Sequence, residues 1–213
     1  QKRLTRGDQA KKKGLEPLAK MIMAQNSGVP EVMAQRFLKN EITLDDAIAG
    51  AKDIIAEWMN ESAKLRRRLR QLFEKRAMLH SKLVKGKAHL AEKYNDYFEF
   101  SECLDRCVSH RFLALHRAGR EGLLSIQARP DEQEAIQILE RFFLKGKTEC
   151  SKIVADAAKD AYKRLLRPSL ENEILNHAKI RADTEAIGVF TRNLRQLLLA
   201  APLGAKRILA IDP

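Results

Sequence analysis

Apolar residues recur at steps of three and four through most of this chain, and that spacing admits helices far more readily than strands. After Thr43 the positions Leu44, Ile48, Ala51, Ile55 and Trp58 fall on one helical face. Leu65, Leu69, Leu72 and Phe73 extend a similar stripe towards Met78. Thr43 has the side chain of an N-cap, and Asp45 and Asp46 fill the first turn, where the helix dipole favours carboxylates. A single helix from 44 to 78 would be long for a compact domain, so the polar run Asn60-Glu61-Ser62 predicts a junction between two. Only ten Gly and six Pro in 213 residues leave too few turn formers for an all-β fold.

Further helices are predicted on either side. A short basic one covers 5–13, a second runs from Leu15 to Ala24 with Pro17 in its first turn, and Pro30 opens a third. Residues 80–87 read as a strand or an extended link, and Leu123–Arg129 as a strand ended by Pro130. Between them Ser101 is read as the cap of a short helix carrying Cys103, Leu104 and Cys107, and Ser109 as the cap of another. Beyond Asp131 the apolar positions Ala135, Ile138, Leu139, Phe142 and Phe143 mark a helix. A long helix follows from Thr148 to Leu166. Pro168 is expected to end it, with two more helical stretches between Ser169 and Ala200. Trp58, Phe142, Phe190 and Leu197 are assigned to packing. The fold class is therefore mainly α, an elongated multi-helix bundle with a small β insertion. Pro130 divides it into a region 1–129 with the short β element and a long-helix region 130–205.

Charge is the second constraint. The chain holds 40 Lys and Arg against 28 Asp and Glu, a net charge of +12. Residues 64–93 hold eleven basic side chains and only Glu74 and Glu92 against them. Such clustering is the footprint of a polyanion partner, or else a solvated face that keeps the protein soluble. The candidates for phosphate contact are Arg66, Arg67, Arg68, Arg70, Lys75, Arg76, Lys82, Lys85 and Lys87. Three successive Arg cannot all face one way, because each helical step turns about 100°. The helix around them offers little beyond Gln71 for reading base edges, so phosphate contact is favoured over sequence recognition.

The chemistry of catalysis is sparse. There is no Gly-rich phosphate loop and no nucleophile elbow. Cys103 and Cys107, four apart, do not have zinc-finger spacing, so no metal or other cofactor is expected and the thiols read as buried small hydrophobes. Three cysteines do not make a disulfide scaffold and suit a reducing cytoplasm. No stretch approaches the about 20 apolar residues of a membrane span. Ile208–Ile211 reads as a buried-type strand with no partner left in the chain, which suggests a piece of something longer. It puts Asp212 at a strand end, where a lone carboxylate cannot hold the ions of a two-metal site. No enzyme is expected.

Several segments in order resemble one family. Gly14-Leu15-Glu16-Pro17-Leu18-Ala19 is similar to the GLEPLA motif of the Tex family of bacterial transcription accessory proteins. Ala49–Glu57, Lys82–Lys87 (KLVKGK) and Tyr97–Glu102 (YFEFSE) resemble further family motifs, as do Ser109–Arg111, Arg120–Gly122, Asn193–Leu199 and Ala201–Gly204. The resemblance spans nearly the whole chain. It implies a helical scaffold with a helix-turn-helix-like part, and it makes 206–213 the first strand of a truncated RNase H-like, YqgF-type domain. It also implies a cytoplasmic role in transcription through non-specific binding of RNA or DNA, weak in this fragment without the family's OB-fold domain. The partners it implies are nucleic acid, the missing C-terminal domains of the same protein and the transcription machinery. The alternative is a protein-interaction platform that docks those domains or RNA polymerase and binds no nucleic acid itself.

Overall fold

Side chains that cap helices set the boundaries of most of the chain. In the computed structural model, which describes residues 4–38, 42–202, 204–207 and 209–211, Thr5 and Asp8 form a capping box at the start of α1 (Arg6–Lys12). Helix α2 (Glu16–Ala24) carries Pro17 in its first turn, and α3 (Pro30–Gln35) opens on a proline. Thr43 and Asp46 form a second capping box at α4 (Leu44–Glu61). Ser62 then stands at the expected junction, its hydroxyl accepting from the Leu65 N–H at the start of α5 (Ala63–Arg76).

The chain next builds a three-stranded antiparallel sheet of order β2-β1-β3, from β1 (Met78–Leu83), β2 (Glu99–Cys103) and β3 (Leu124–Arg129). Two 3-10 turns, Ala88–Leu90 and Glu92–Tyr97, precede β2. This corrects the helix expected after Ser101. Met78 pairs with Cys103 and His80 with Ser101, so those residues lie in a ladder, and Cys103 and Cys107 share no helix face. The apolar spacing of Phe100, Cys103, Leu104 and Cys107 would suit a helix, but pairing with β1 satisfies the backbone there instead. Helix α6 (Ser109–Arg120) follows. Val108 is its N-cap and gives no side-chain bond, so Ser109 is not the cap.

Asp131 caps α7 (Glu132–Phe143), and Thr148 with Ser151 caps α8 (Glu149–Asp160). Pro168 does not interrupt what comes next. Residues Ala161–Leu166 form a π-helical turn that runs without a break into α9 (Arg167–Leu198), a helix of 32 residues. Proline offers no N–H to the fourth carbonyl before it and crowds that carbonyl, and the wider turn relieves both demands. The result is an elongated, mostly helical bundle with a small sheet inserted.

The core is continuous from α1 to the first half of α9, and α4 runs through it with Ala51, Ile54, Ile55, Ala56 and Met59 fully buried. Gln25, the one non-glycine residue with positive φ (58°) among the described residues, pins the end of α2 to the loop between α7 and α8. Its amide donates to the Phe143 carbonyl at 2.6 Å and accepts from Lys145 N–H and the Ser151 hydroxyl, each at 3.0 Å. Buried Glu171 accepts from the Ala128 N–H at 2.9 Å and from Arg129 Nε at 2.8 Å, which ties the outer edge of β3 to α9.

Burial in α9 stops at Ala182. Phe190 is 65 % exposed and Leu197 74 %, so neither packs as expected, and Phe142 is also exposed. Their helical spacing is real, but no described element lies against that face. Leu209 and Ile211 are exposed and in no strand. Ile208, Asp212 and Pro213 lie outside the described residues.

Candidate nucleic-acid interface

Helix α5 distributes its charge by angle. Leu65, Leu69, Leu72 and Phe73 are buried and fix its inner face. At about 100° per residue, Arg66 and Arg70 fall on one flank, while Arg76, the last residue of the helix, falls at the angle of the inner face. Arg66 donates to Asn60 Oδ1 at 2.9 Å and to the Ser169 hydroxyl at 2.8 Å. Arg70 forms an ion pair with Glu173 of α9 through both Nε and Nη2. That pair raises the Arg70 pKa and lowers that of Glu173, the hydrogen bond between them being the chief cause of each shift. Arg76 Nη1 meets both oxygens of Glu134 on α7, at 2.8 and 3.0 Å.

The outward arc is different. Lys64, Arg67, Arg68, Gln71 and Lys75 are all exposed and fall within a stripe about 100° wide. From Lys64 to Lys75 it runs for roughly 16 Å along the helix. None of its four cations has a carboxylate partner among the described residues. Arg68 reaches only the Gln71 amide oxygen, at 3.5 Å. Between α5 and α7 the stripe borders a groove of about 210 Å³ lined by Arg68, Gln71, Leu72, Lys75, Arg76, Glu134 and Ile138.

The remaining candidates stand apart. Lys82 lies on the exposed face of the sheet, in register with Glu99 and Ser125. Lys85 is exposed in the turn after β1. Lys87 is half-buried, with Nζ donating to the Gly122 carbonyl at 2.8 Å. The structure thus brings Arg67, Arg68 and Lys75 onto one surface, holds Arg66, Arg70, Arg76 and Lys87 in contacts within the protein, and leaves Lys82 and Lys85 off the helix. Lys64 and Gln71 complete the stripe and were not among the candidates. Their signal was in the sequence, since 64, 68, 71 and 75 are separated by four, three and four.

Elsewhere the titratable groups serve packing. Burial pushes the Cys107 thiol up to about 11 and raises Cys150 as well. Burial lowers the His116 pKa, helped by Lys179 and Arg120. Among the described residues no group of three or more His, Cys, Asp or Glu gathers as a metal site, and no helix is long and apolar enough to cross a membrane.

Comparison with known proteins places the chain. The family model for the Tex central region matches residues 25–190. The chain is 36 % identical over 221 residues to the protein YdcI of Bacillus subtilis, covering all of this chain and 30 % of that protein. It is 37 % identical over 221 residues to the transcriptional accessory protein Tex of Neisseria gonorrhoeae, again over its full length and 29 % of the relative. A human S1 RNA-binding domain-containing protein is 26 % identical over 228 residues, spanning 98 % of this chain and 22 % of its own. The chain therefore spans less than a third of the length of these relatives. By the length and position of these matches, the chain belongs to the Tex family.

Proposed function

We propose that this chain is the helical scaffold of a transcription accessory protein and that it binds RNA or DNA without sequence preference, through phosphate contacts. The observation that carries the reading is the outward stripe of α5, where Lys64, Arg67, Arg68 and Lys75 face solvent without carboxylate partners among the described residues while Arg70 and Arg76 of the same helix are paired. A cation already held by a carboxylate neutralises no phosphate, whereas an unpaired one releases counterions when it does. The names of two relatives, a transcriptional accessory protein and an S1 RNA-binding domain-containing protein, support the assignment to transcription and to nucleic acid. The three free cysteines suit a reducing cytoplasm. The scaffold positions and touches its partners, and no bond is made or broken in this role.

The test is titration of a fluorescent oligonucleotide with the chain at rising salt. Four phosphate contacts give a log–log slope near −3.6 on duplex DNA, at about 0.9 per contact. The triple substitution Arg67→Gln, Arg68→Gln and Lys75→Gln is expected to bring that slope to about −0.9. Absence of binding at ~20 mM salt would sink the reading.

A second reading rests on its own observation. Ile187, Phe190, Leu194, Leu197 and Leu198 form an apolar stripe on the far half of α9 and are all exposed. Contiguous apolar surface of that kind marks a contact with protein. On this reading the chain is a platform for other domains of the same protein or for the transcription machinery. Retention of the chain by the separately expressed remainder of the protein, lost on Phe190→Ser with Leu197→Ser, is the result it requires.

A further inference from the structure

We infer that the α5 stripe is a rail for the backbone of a double helix, and that it prefers duplex to single-stranded nucleic acid. The inference rests on the phosphate-binding reading above and adds the kind of strand.

The first reason is the shape of the surface. Helix α5 is flanked on both sides, by α7 through Arg76–Glu134 and by α9 through Arg70–Glu173. A helix that reads a major groove about 12 Å wide must stand clear of its neighbours. Only one arc of α5 is bare, so it lies along a backbone and does not enter a groove. The contact is with phosphates, and base edges stay out of reach.

The second reason is the composition of the bare arc. Proteins that hold single strands stack bases on aromatic rings, at about 1–3 kcal/mol per base. None of Lys64, Arg67, Arg68, Gln71 and Lys75 carries a ring. Without stacking, charge density decides. Each cation contributes about 0.9 to the salt slope on a duplex and about 0.7 on a single strand. Counted from 1 M salt, where the counterion contribution to either affinity is about nil, that difference over four cations and the 1.3 decades down to 50 mM favours duplex about tenfold.

The experiment compares a 16-base-pair duplex with a single-stranded homopolymer of 16 deoxythymidines, both labelled, by anisotropy at 50 mM salt. The expected result is duplex binding about tenfold tighter. Arg67→Gln with Arg68→Gln and Lys75→Gln should remove that advantage and leave the thermal midpoint of the chain unchanged. Lys82→Gln with Lys85→Gln should retain it. Equal or tighter binding of the single strand overturns the inference and leaves the phosphate-binding reading standing. If that single-strand affinity also falls on Phe142→Ala, the exposed ring of α7 acts as a stacking platform. Failure of both oligonucleotides to bind at low salt overturns the broader reading and this inference together. A duplex preference that survives the triple substitution also overturns it, because the preference then arises on another surface.

Discussion

Gly7 sits where a side chain cannot. It is the second residue of α1, and its N–H, one of the donors that a helix start leaves without an intrahelical partner, reaches Glu57 Oε1 of α4 at 2.9 Å. Glu57 is 7 % exposed, and its second oxygen stands 3.7 Å from Lys11 Nζ. A Cβ on Gly7 would lie 2.2 Å from the Glu57 carboxyl carbon. Gly7→Ala therefore expels the carboxylate from its seat. Loss of a hydrogen bond to a charged group costs about 1.5–3 kcal/mol. Alanine returns up to about 1 kcal/mol of helix propensity. With that return in full, the net expectation is a loss of about 0.5–2 kcal/mol, or a fall of roughly 1–8 °C in thermal midpoint for a chain of this size. In a Glu57→Ala background the obstacle is gone, so the same Gly7→Ala change should stabilise, by up to about 1 kcal/mol. Urea denaturation of the four proteins, followed by circular dichroism, measures the coupling directly. A Gly7→Ala effect of the same sign and size in both backgrounds would refute the argument, because Glu57 would then not be what excludes the side chain.

Four further results are expected. Leu69→Ala, at a fully buried position on the inner face of α5, should cost about 2–5 kcal/mol, while Arg68→Gln one residue away should stay within about 0.5 kcal/mol in the same urea titration. Tyr162 is fully buried, its hydroxyl has no hydrogen-bond partner among the described residues, and burial pushes its pKa up to about 12. Tyr162→Phe should accordingly stabilise by about 1 kcal/mol, and a loss would show that the hydroxyl is hydrogen-bonded in solution. Burial raises the Asp53 carboxyl, Arg164 at 2.8 Å opposing it, so the stability this group contributes is full below the unfolded value and lost as pH rises through the folded one. Asp53→Asn should hence be at least as stable as the parent at pH 7, and the gain should shrink below about pH 4, as thermal melts at the two pH values would show. With its thiol at about 11, Cys107 should resist alkylation at pH 8 in the native protein, and Cys150 likewise, while half-buried Cys103 reacts and denaturant exposes all three. Peptide mass mapping gives that order.

Where local side chains decide, the fold was legible. Thr43 with Asp46, Ser62 and Asp131 each mark a helix start within their own few residues, and the structure places helices there. The misreadings share one cause, which is information held elsewhere in the chain. Glu99–Cys103 is a strand because β1 offers it a ladder twenty residues earlier, and nothing in Phe100-Ser101-Glu102-Cys103 alone reveals that. Pro168 is a helix breaker by its own chemistry. It stands inside a continuous helix because Ala161–Leu166 widens into a π turn ahead of it, and because Leu166 and Leu170 on either side are buried. The apolar spacing that gave α9 its outer stripe carries no mark to say that burial ends at Ala182.

The site obeys the same division. Arg66, Arg67 and Arg68 are identical in composition and consecutive in sequence, yet helical rotation gives them three settings. Arg66 is held by Asn60 and Ser169, Arg67 points to solvent, and Arg68 lies along Gln71 at the rim of the groove. The angular step of about 100° was available from the sequence, and it foretold that the three could not act together. What it could not supply was the place of Glu134 and Glu173, which come from helices 58 and 103 residues further on and occupy Arg76 and Arg70. Net charge in the window therefore overstates the charge offered to a polyanion. The useful quantity is the set of cations left after neighbouring side chains within the protein have taken theirs, and among the described residues of α5 that set is Lys64, Arg67, Arg68 and Lys75. A helix so packed on both flanks also fixes the backbone positions of those four relative to one another, so less backbone ordering remains to oppose binding than in a free basic arm.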